Sequence, residues 1–83
     1  MQKSIRKTAA GPDSLTALAN AIIVQAAKDY RQALLKHQKE PDSVSAGIRI
    51  EEAERFFRSD WYRLLTTVDG EMLIKQLREE VKS

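Results

Sequence analysis

The sequence contains no cysteine and a single histidine, His37. Without cysteine, neither disulfide bonds nor thiolate metal sites can form, and one histidine provides no cluster of imidazole ligands. We therefore expect no metal site and no cofactor. The absence of cysteine is compatible with a reducing, cytoplasmic location.

Long apolar runs are also missing. No stretch approaches the ~20 consecutive apolar residues that a membrane-spanning helix needs, so no membrane association is expected. The N-terminus is basic, but Gly11 and Pro12 interrupt it before any apolar segment, which argues against a signal peptide. With 83 residues, 42% of them hydrophobic and 31% charged, the composition is typical of one soluble globular domain.

The basic character of the chain has a local origin. Residues 1–11 carry three basic residues and no acidic one, whereas residues 12–83 sum to −1, since the whole chain has a net charge of +2. We interpret residues 1–11 as a flexible basic arm and residues 12–83 as a single helical domain. Such an arm adds a salt-sensitive attraction to polyanions, although a solvated tail is its more common role.

The hydrophobic pattern indicates helices throughout. A start signal at residues 12–14 precedes a long uninterrupted helix, residues 15–39, which Pro41 ends. A second helix follows Asp42 or Ser43 and extends to about Arg58. A short helix begins after Ser59, and a last helix begins at residues 69–71. The predicted fold is all-α: a small bundle with one long N-terminal helix, an antiparallel second helix and a short C-terminal helix pair.

The first half of the long helix is apolar almost all round, and such a helix requires covering on more than one side. At about 1.5 Å per residue the helix is roughly 37 Å long, more than the shorter helices can cover. We therefore expect a homo-oligomer that forms through Leu15, Leu18, Ile22, Ile23, Val24 and Ala27. The alternative is a monomer in which the C-terminal helices wrap this half.

One central stretch contains most of the bulky side chains. Four of the five aromatic residues lie within residues 56–62, interleaved with arginines. In one interpretation Phe56, Phe57, Trp61 and Leu64 simply fill the core of a small protein. In the other, arginines beside an exposed ring bind a planar anionic ligand or anchor a protein interface. The candidate binding residues are Arg55, Arg58, Asp60, Trp61, Tyr62 and Arg63.

The same stretch carries a resemblance. The string FFRSDWY at residues 56–62, followed by DGE at 69–71, LI at 73–74 and LREEV at 77–81, resembles short uncharacterised proteins encoded by phages and integrative elements of Gram-positive bacteria. The similarity extends over roughly residues 20–81 and includes AAKDYR at 26–31. The resemblance implies a phage or mobile-element context. Small phage accessory proteins often act by binding host defence machinery or replication factors. No catalytic residue is carried over from it.

No enzyme is predicted, because the serines have only His37 as a conventional catalytic partner and the glycines are isolated. The first functional hypothesis is a non-enzymatic phage or mobile-element protein that antagonises antiviral defence by sequestering a host protein or an anionic, nucleotide-like signal. The alternative is a nucleic-acid-associated replication or regulatory factor. It would use the basic arm and the exposed cations of the first helix: Lys28, Arg31, Lys36 and Lys39.

Overall fold

The computed structural model describes residues 12–82, with side chains from residue 14 onward. This part of the chain consists of four helices without any strand: α1 (Pro12–Lys39), α2 (Val44–Phe57), α3 (Asp60–Leu65) and α4 (Gly70–Lys82). The prediction of an all-α bundle with one long first helix is confirmed. The predicted basic arm lies outside the described residues. Within residues 12–82 no helix is both long and apolar enough to cross a membrane.

Two prolines, Pro12 and Pro41, set the limits of α1. The helix begins at Pro12 and ends at Lys39. Proline suits the first helical position because its fixed backbone angle is already helical, so the predicted start signal at residues 12–14 lies within the helix and not before it. At the other end, Pro41 disfavours the helical conformation of the residue before it, which ends the helix.

Two serines define the starts of the next helices. Ser43 caps α2, and its hydroxyl accepts a hydrogen bond from the Ala46 N–H at 3.2 Å. The hydroxyl of Ser59 donates to the Phe56 carbonyl at 2.7 Å and accepts from the Tyr62 N–H at 3.1 Å. Because Ser59 bonds to both α2 and α3, it fixes the direction in which α3 leaves α2.

Side-chain contacts establish how the helices are arranged. Lys36 donates to Ser45 at 3.4 Å and Tyr30 donates to Glu54 at 2.6 Å, so α2 runs antiparallel to α1 as predicted. Helix α4 runs in the same direction as α1, because Arg78 bonds to Tyr30 and the Val81 carbonyl accepts from Gln38, further along α1.

The core is built around three rings. The ring of Phe57 lies 5.8 Å from that of Tyr30 and 5.7 Å from that of Tyr62, in edge-to-face arrangements. Such pairs contribute roughly 1 kcal/mol each beyond the area they bury. Ala27, Ile74 and Leu77 complete the buried cluster. Within this cluster α1 contributes Ala27 and Tyr30, and the other members belong to α2, α3 and α4.

The first half of α1 is only partly covered by the rest of the chain, because Ile23 packs against the core cluster while other apolar side chains of this half are exposed. Leu15 and Leu18, which were predicted in an oligomer interface, are 70% and 59% exposed. Helix α2 has 14 residues, about 21 Å, and runs back along α1 only to about the level of Ala26. The apolar stripe therefore continues beyond the bundle.

A close backbone approach fixes the start of α4. Gly70 lies against the end of α2, where an added Cβ would overlap the Phe57 carbonyl oxygen and lie 3.0 Å from its carbonyl carbon. The same Cβ would lie 3.5 Å from the ring of Tyr62. Any side chain at this position would force the two helices apart.

We expect Gly70→Ala to lower the free energy of unfolding by about 2 kcal/mol, because the added methyl group overpacks this contact. Gly47→Ala is the matched control, since a Cβ there meets nothing within 4 Å. It should raise stability by about 1 kcal/mol through helix propensity. Urea unfolding measures both. A Gly70→Ala protein as stable as the wild type would contradict the close approach.

Candidate functional site

Helix α3 presents two large apolar side chains to solvent. Of its six residues only Tyr62 is buried, whereas Trp61 is 58% and Leu64 is 86% exposed. The two side chains are three positions apart, so they lie on the same side of the helix. We call this pair the Trp61–Leu64 surface. The interpretation in which the whole aromatic stretch fills the core is wrong for both residues, because the core is closed by Phe57 and Tyr62.

Arg58 is held by two carboxylates. Its guanidinium donates to both carboxylate oxygens of Glu71, and a second contact joins it to Glu54 at 3.5 Å. The fork-to-fork geometry with Glu71 is the stronger type of arginine–carboxylate pair. Arg58 therefore connects the end of α2 to the start of α4. A ligand that recruits this predicted binding residue must displace Glu71.

The other two arginines of the stretch are less restrained. Arg63 pairs with Asp60 at 3.1 Å, and the two side chains are 75% and 96% exposed. An ion pair this exposed contributes little to stability and exchanges readily with other partners. Arg55 is exposed on the outer side of α2, and no ion pair to it is found in the described part of the chain. Both side chains are accessible to a binding partner.

A depression of about 330 Å³ lies where α2, α3 and the loop before α4 meet. It brings together three of the predicted site residues, Arg58, Tyr62 and Arg63, with the carboxylates of Asp69 and Glu71. Tyr62 does not act there as predicted. Its side chain is buried, and its hydroxyl is inaccessible and has no hydrogen-bond partner among residues 14–82. Burial raises the pKa of this hydroxyl, and the negative charge of Asp69 adds to the effect.

The predicted oligomer residues divide into three groups. Leu15, Leu18 and Val24 are exposed, and Ile22 and Ile23 are half-buried. Ala27 is buried in the core of its own chain, beside Tyr30. Including Ala27 in an interface between copies was therefore wrong, because a helix from the same chain already occupies its surroundings.

A polar contact that joins three helices was not predicted. The Tyr30 hydroxyl donates to Glu54 at 2.6 Å and accepts from the Arg78 guanidinium at 3.1 Å, and Arg78 also pairs with Glu54. We call these three residues the Tyr30–Glu54–Arg78 clamp, because they belong to α1, α2 and α4. Only the apolar periodicity of Tyr30 was visible in the sequence, since its partners lie 24 and 48 positions away.

The clamp shifts the proton affinities of its members. Burial raises the pKa of Tyr30 to about 12, with a further contribution from its hydrogen bond to Glu54. Partial burial acts to raise the pKa of Glu54, but the hydrogen bonds from Tyr30 and Arg78 outweigh it, so the pKa of this carboxyl is lowered. The clamp is therefore held together by a neutral phenol, a carboxylate and a guanidinium.

The cations of α1 do not form a continuous free surface. Arg31 pairs with Glu80 at 3.0 Å, and Lys36 donates to Ser45. Lys28 and Lys39 are exposed, as is His37. Among residues 12–82 no group of three or more histidine, aspartate and glutamate side chains is placed to hold a metal ion.

Comparisons with known proteins give no relative: no family model, no curated protein and no solved structure matches the chain. The candidate site is therefore defined by its geometry alone.

We expect the two buried tyrosines to respond differently to the loss of their hydroxyls. Tyr30→Phe removes a hydroxyl with two charged partners and should lower the free energy of unfolding by about 1–2 kcal/mol. Tyr62→Phe removes a buried hydroxyl without a partner and should leave stability unchanged or raise it. Denaturant unfolding at neutral pH distinguishes them. Equal losses in the two variants would contradict the assignment of the clamp.

The raised pKa of Tyr30 also predicts an alkaline response. An unfolded tyrosine loses its proton near pH 10, whereas folded Tyr30 keeps it to about pH 12. The stabilising effect is complete below pH 10 and is lost as the pH rises toward 12. Over that range the unfolding free energy of the wild type should fall more steeply than that of Tyr30→Phe. Parallel slopes would show that Tyr30 titrates normally.

Proposed function

We propose that this chain is a non-enzymatic binding protein of a bacteriophage or integrative element, acting in the cytoplasm of the bacterial host. In this proposal it antagonises an antiviral defence system by occupying the surface of a host protein. The origin rests on the resemblance of residues 56–81 to small proteins of such elements. The binding function rests on the geometry of α3.

The exposed Trp61–Leu64 surface is the observation that carries the binding function. The chain has five aromatic residues, and its only tryptophan is 58% exposed beside a leucine that is 86% exposed. A small protein has few large apolar side chains, so exposing these two loses the stability that their burial would provide. Tryptophan is among the residues most enriched at the energetic centres of protein interfaces.

The charges around this surface favour a protein over a small anionic ligand. Arg58 is committed to Glu54 and Glu71, and the depression beside it also contains the carboxylate of Asp69. An incoming phosphate would meet these negative charges. Arg63 is held only by its exposed pair with Asp60 and can turn to a new partner at little cost.

These features define the chemistry of the partner. It should offer an apolar pocket that accepts the indole of Trp61 and the side chain of Leu64. Carboxylates at the rim of that pocket would pair with Arg63 and with Arg55. Rim charges of this kind accelerate association, whereas the buried rings supply most of the affinity.

We expect Trp61→Ala to weaken binding of the host partner by about 30-fold or more, the loss typical of an interface hot spot. Met72→Ala is the control, because Met72 is similarly exposed but lies on α4. The partner is isolated with the tagged wild-type chain from a bacterium carrying the defence system. It is then purified, and its dissociation constants for the three proteins are measured by calorimetry.

Relief of the defence should follow the same order in phage plating assays, with Met72→Ala active and Trp61→Ala inactive. Both variants change exposed positions, so their circular dichroism spectra should equal that of the wild type. A partner bound equally well by Trp61→Ala would overturn the proposed surface. Salt-sensitive retention of nucleic acid without any host protein would favour the nucleic-acid alternative instead.

A further inference from the structure

The first half of α1 has an unusual composition for an exposed helix. Residues 14–27 contain no charged side chain, although 31% of the chain is charged. Within this segment Leu15 is 70%, Leu18 is 59% and Val24 is 51% exposed. Exposed helix surfaces of monomeric proteins are normally polar and charged, and an apolar surface of this extent indicates an interaction site.

The shape of the molecule reflects the same feature. Its principal dimensions are 52 × 27 × 22 Å, and its radius of gyration is 15.9 Å. A compact domain of this length has a radius of gyration of about 12 Å. Helix α1 contributes to this elongation, because its 28 residues extend for about 42 Å, twice the length of α2, which packs against it.

No other part of this chain is suited to cover the segment. The three helices that follow α1 pack around Tyr30 and Ala27 and reach Ile23 and Ala26 on one side of the segment, whereas Leu15, Leu18 and Val24 stay exposed. The remaining candidate is residues 1–11, which carry three positive charges and only two large apolar side chains, Met1 and Ile5. Two large apolar side chains are too few to cover about 20 Å of charge-free helix.

We propose that residues 14–25 of α1 form an interface with the same residues of a second copy of this chain. We infer a second copy as the partner because the segment carries no charge. A charge-free helix face that meets itself leaves no charged group to be desolvated, and it needs no complementary charge from another protein. Most foreign protein surfaces offer charged side chains, which a face of this kind disfavours.

The side chains on the outer side of α1 suit close helix pairing. Ala17 and Ala21 are one turn apart and exposed, so two helix backbones can approach each other there. Leu18 and Val24 flank them and supply the apolar volume that packs between the helices. The inference is independent of the proposed function, because the Trp61–Leu64 surface lies on a different helix.

Sedimentation equilibrium of the full chain tests the proposal directly. The wild type is expected at twice its monomer mass of 9.4 kDa. Leu18→Glu places a carboxylate in the interface of each copy and should weaken the dimer by about 30-fold or more. Ile48→Glu is the matched control, because Ile48 is 50% exposed and lies on α2. It should leave the dimer unchanged.

A second measurement locates the interface without relying on a destabilising change. The chain has no cysteine, so Ala21→Cys introduces a unique thiol near the centre of the proposed interface. Mild oxidation should convert the Ala21→Cys protein to a covalent dimer about tenfold faster, or more, than the Ile48→Cys protein, since paired helices hold the two thiols within bonding distance.

Wild-type protein that stays monomeric at submillimolar concentration would overturn the proposal, as would a dimer that tolerates Leu18→Glu. A chain without residues 1–11 should still dimerise.

Discussion

The rest of the structure depends on the environment of one side chain, Tyr30. Its ring packs against Phe57 in the centre of the core, and its hydroxyl reaches the polar edge of the bundle, where it meets Glu54 and Arg78. A single residue of α1 thereby fixes the positions of both α2 and α4. Losing the Tyr30 hydroxyl would remove a hydrogen bond from each of its two charged partners, of which the Glu54 side chain is only 13% exposed.

The position of this clamp along α1 has two consequences. Because it holds α2 and α4 to the second half of the helix, the first half projects beyond the bundle with its apolar side chains exposed. Because α2 ends at Phe57, beside the clamp, Ser59 turns the chain into α3 at the surface. Tyr62 then faces inward and Trp61 faces solvent. The packing of α2 and α4 around the clamp therefore leaves both candidate interaction surfaces exposed.

Local signals in the sequence were sufficient for the fold. The helices begin and end near Pro41, Ser43, Ser59 and Asp69 as the side-chain chemistry of these residues predicts. These features depend on neighbours within one or two helical turns. For that reason they can be read without knowledge of the tertiary structure.

The site was less predictable, because its properties depend on residues distant in sequence. The periodicity of α3 could not distinguish Tyr62, which is buried, from Trp61 and Leu64, which are exposed, since a six-residue helix has too few turns to define a face. The pair between Arg58 and Glu54 was visible as an i,i+4 spacing, but Glu71, which holds Arg58 more firmly, was not. The clamp was missed for the same reason, as Arg78 joins Tyr30 only after α4 has packed.

We expect the two halves of α1 to be stabilised by different contacts, the second half by its own chain and the first half by the proposed second copy. Amide hydrogen exchange along α1, measured at increasing protein concentration, distinguishes the two. Residues 27–37 should be strongly protected at every concentration, and protection of residues 16–24 should rise as copies associate. Equal, concentration-independent protection of both halves would contradict this expectation.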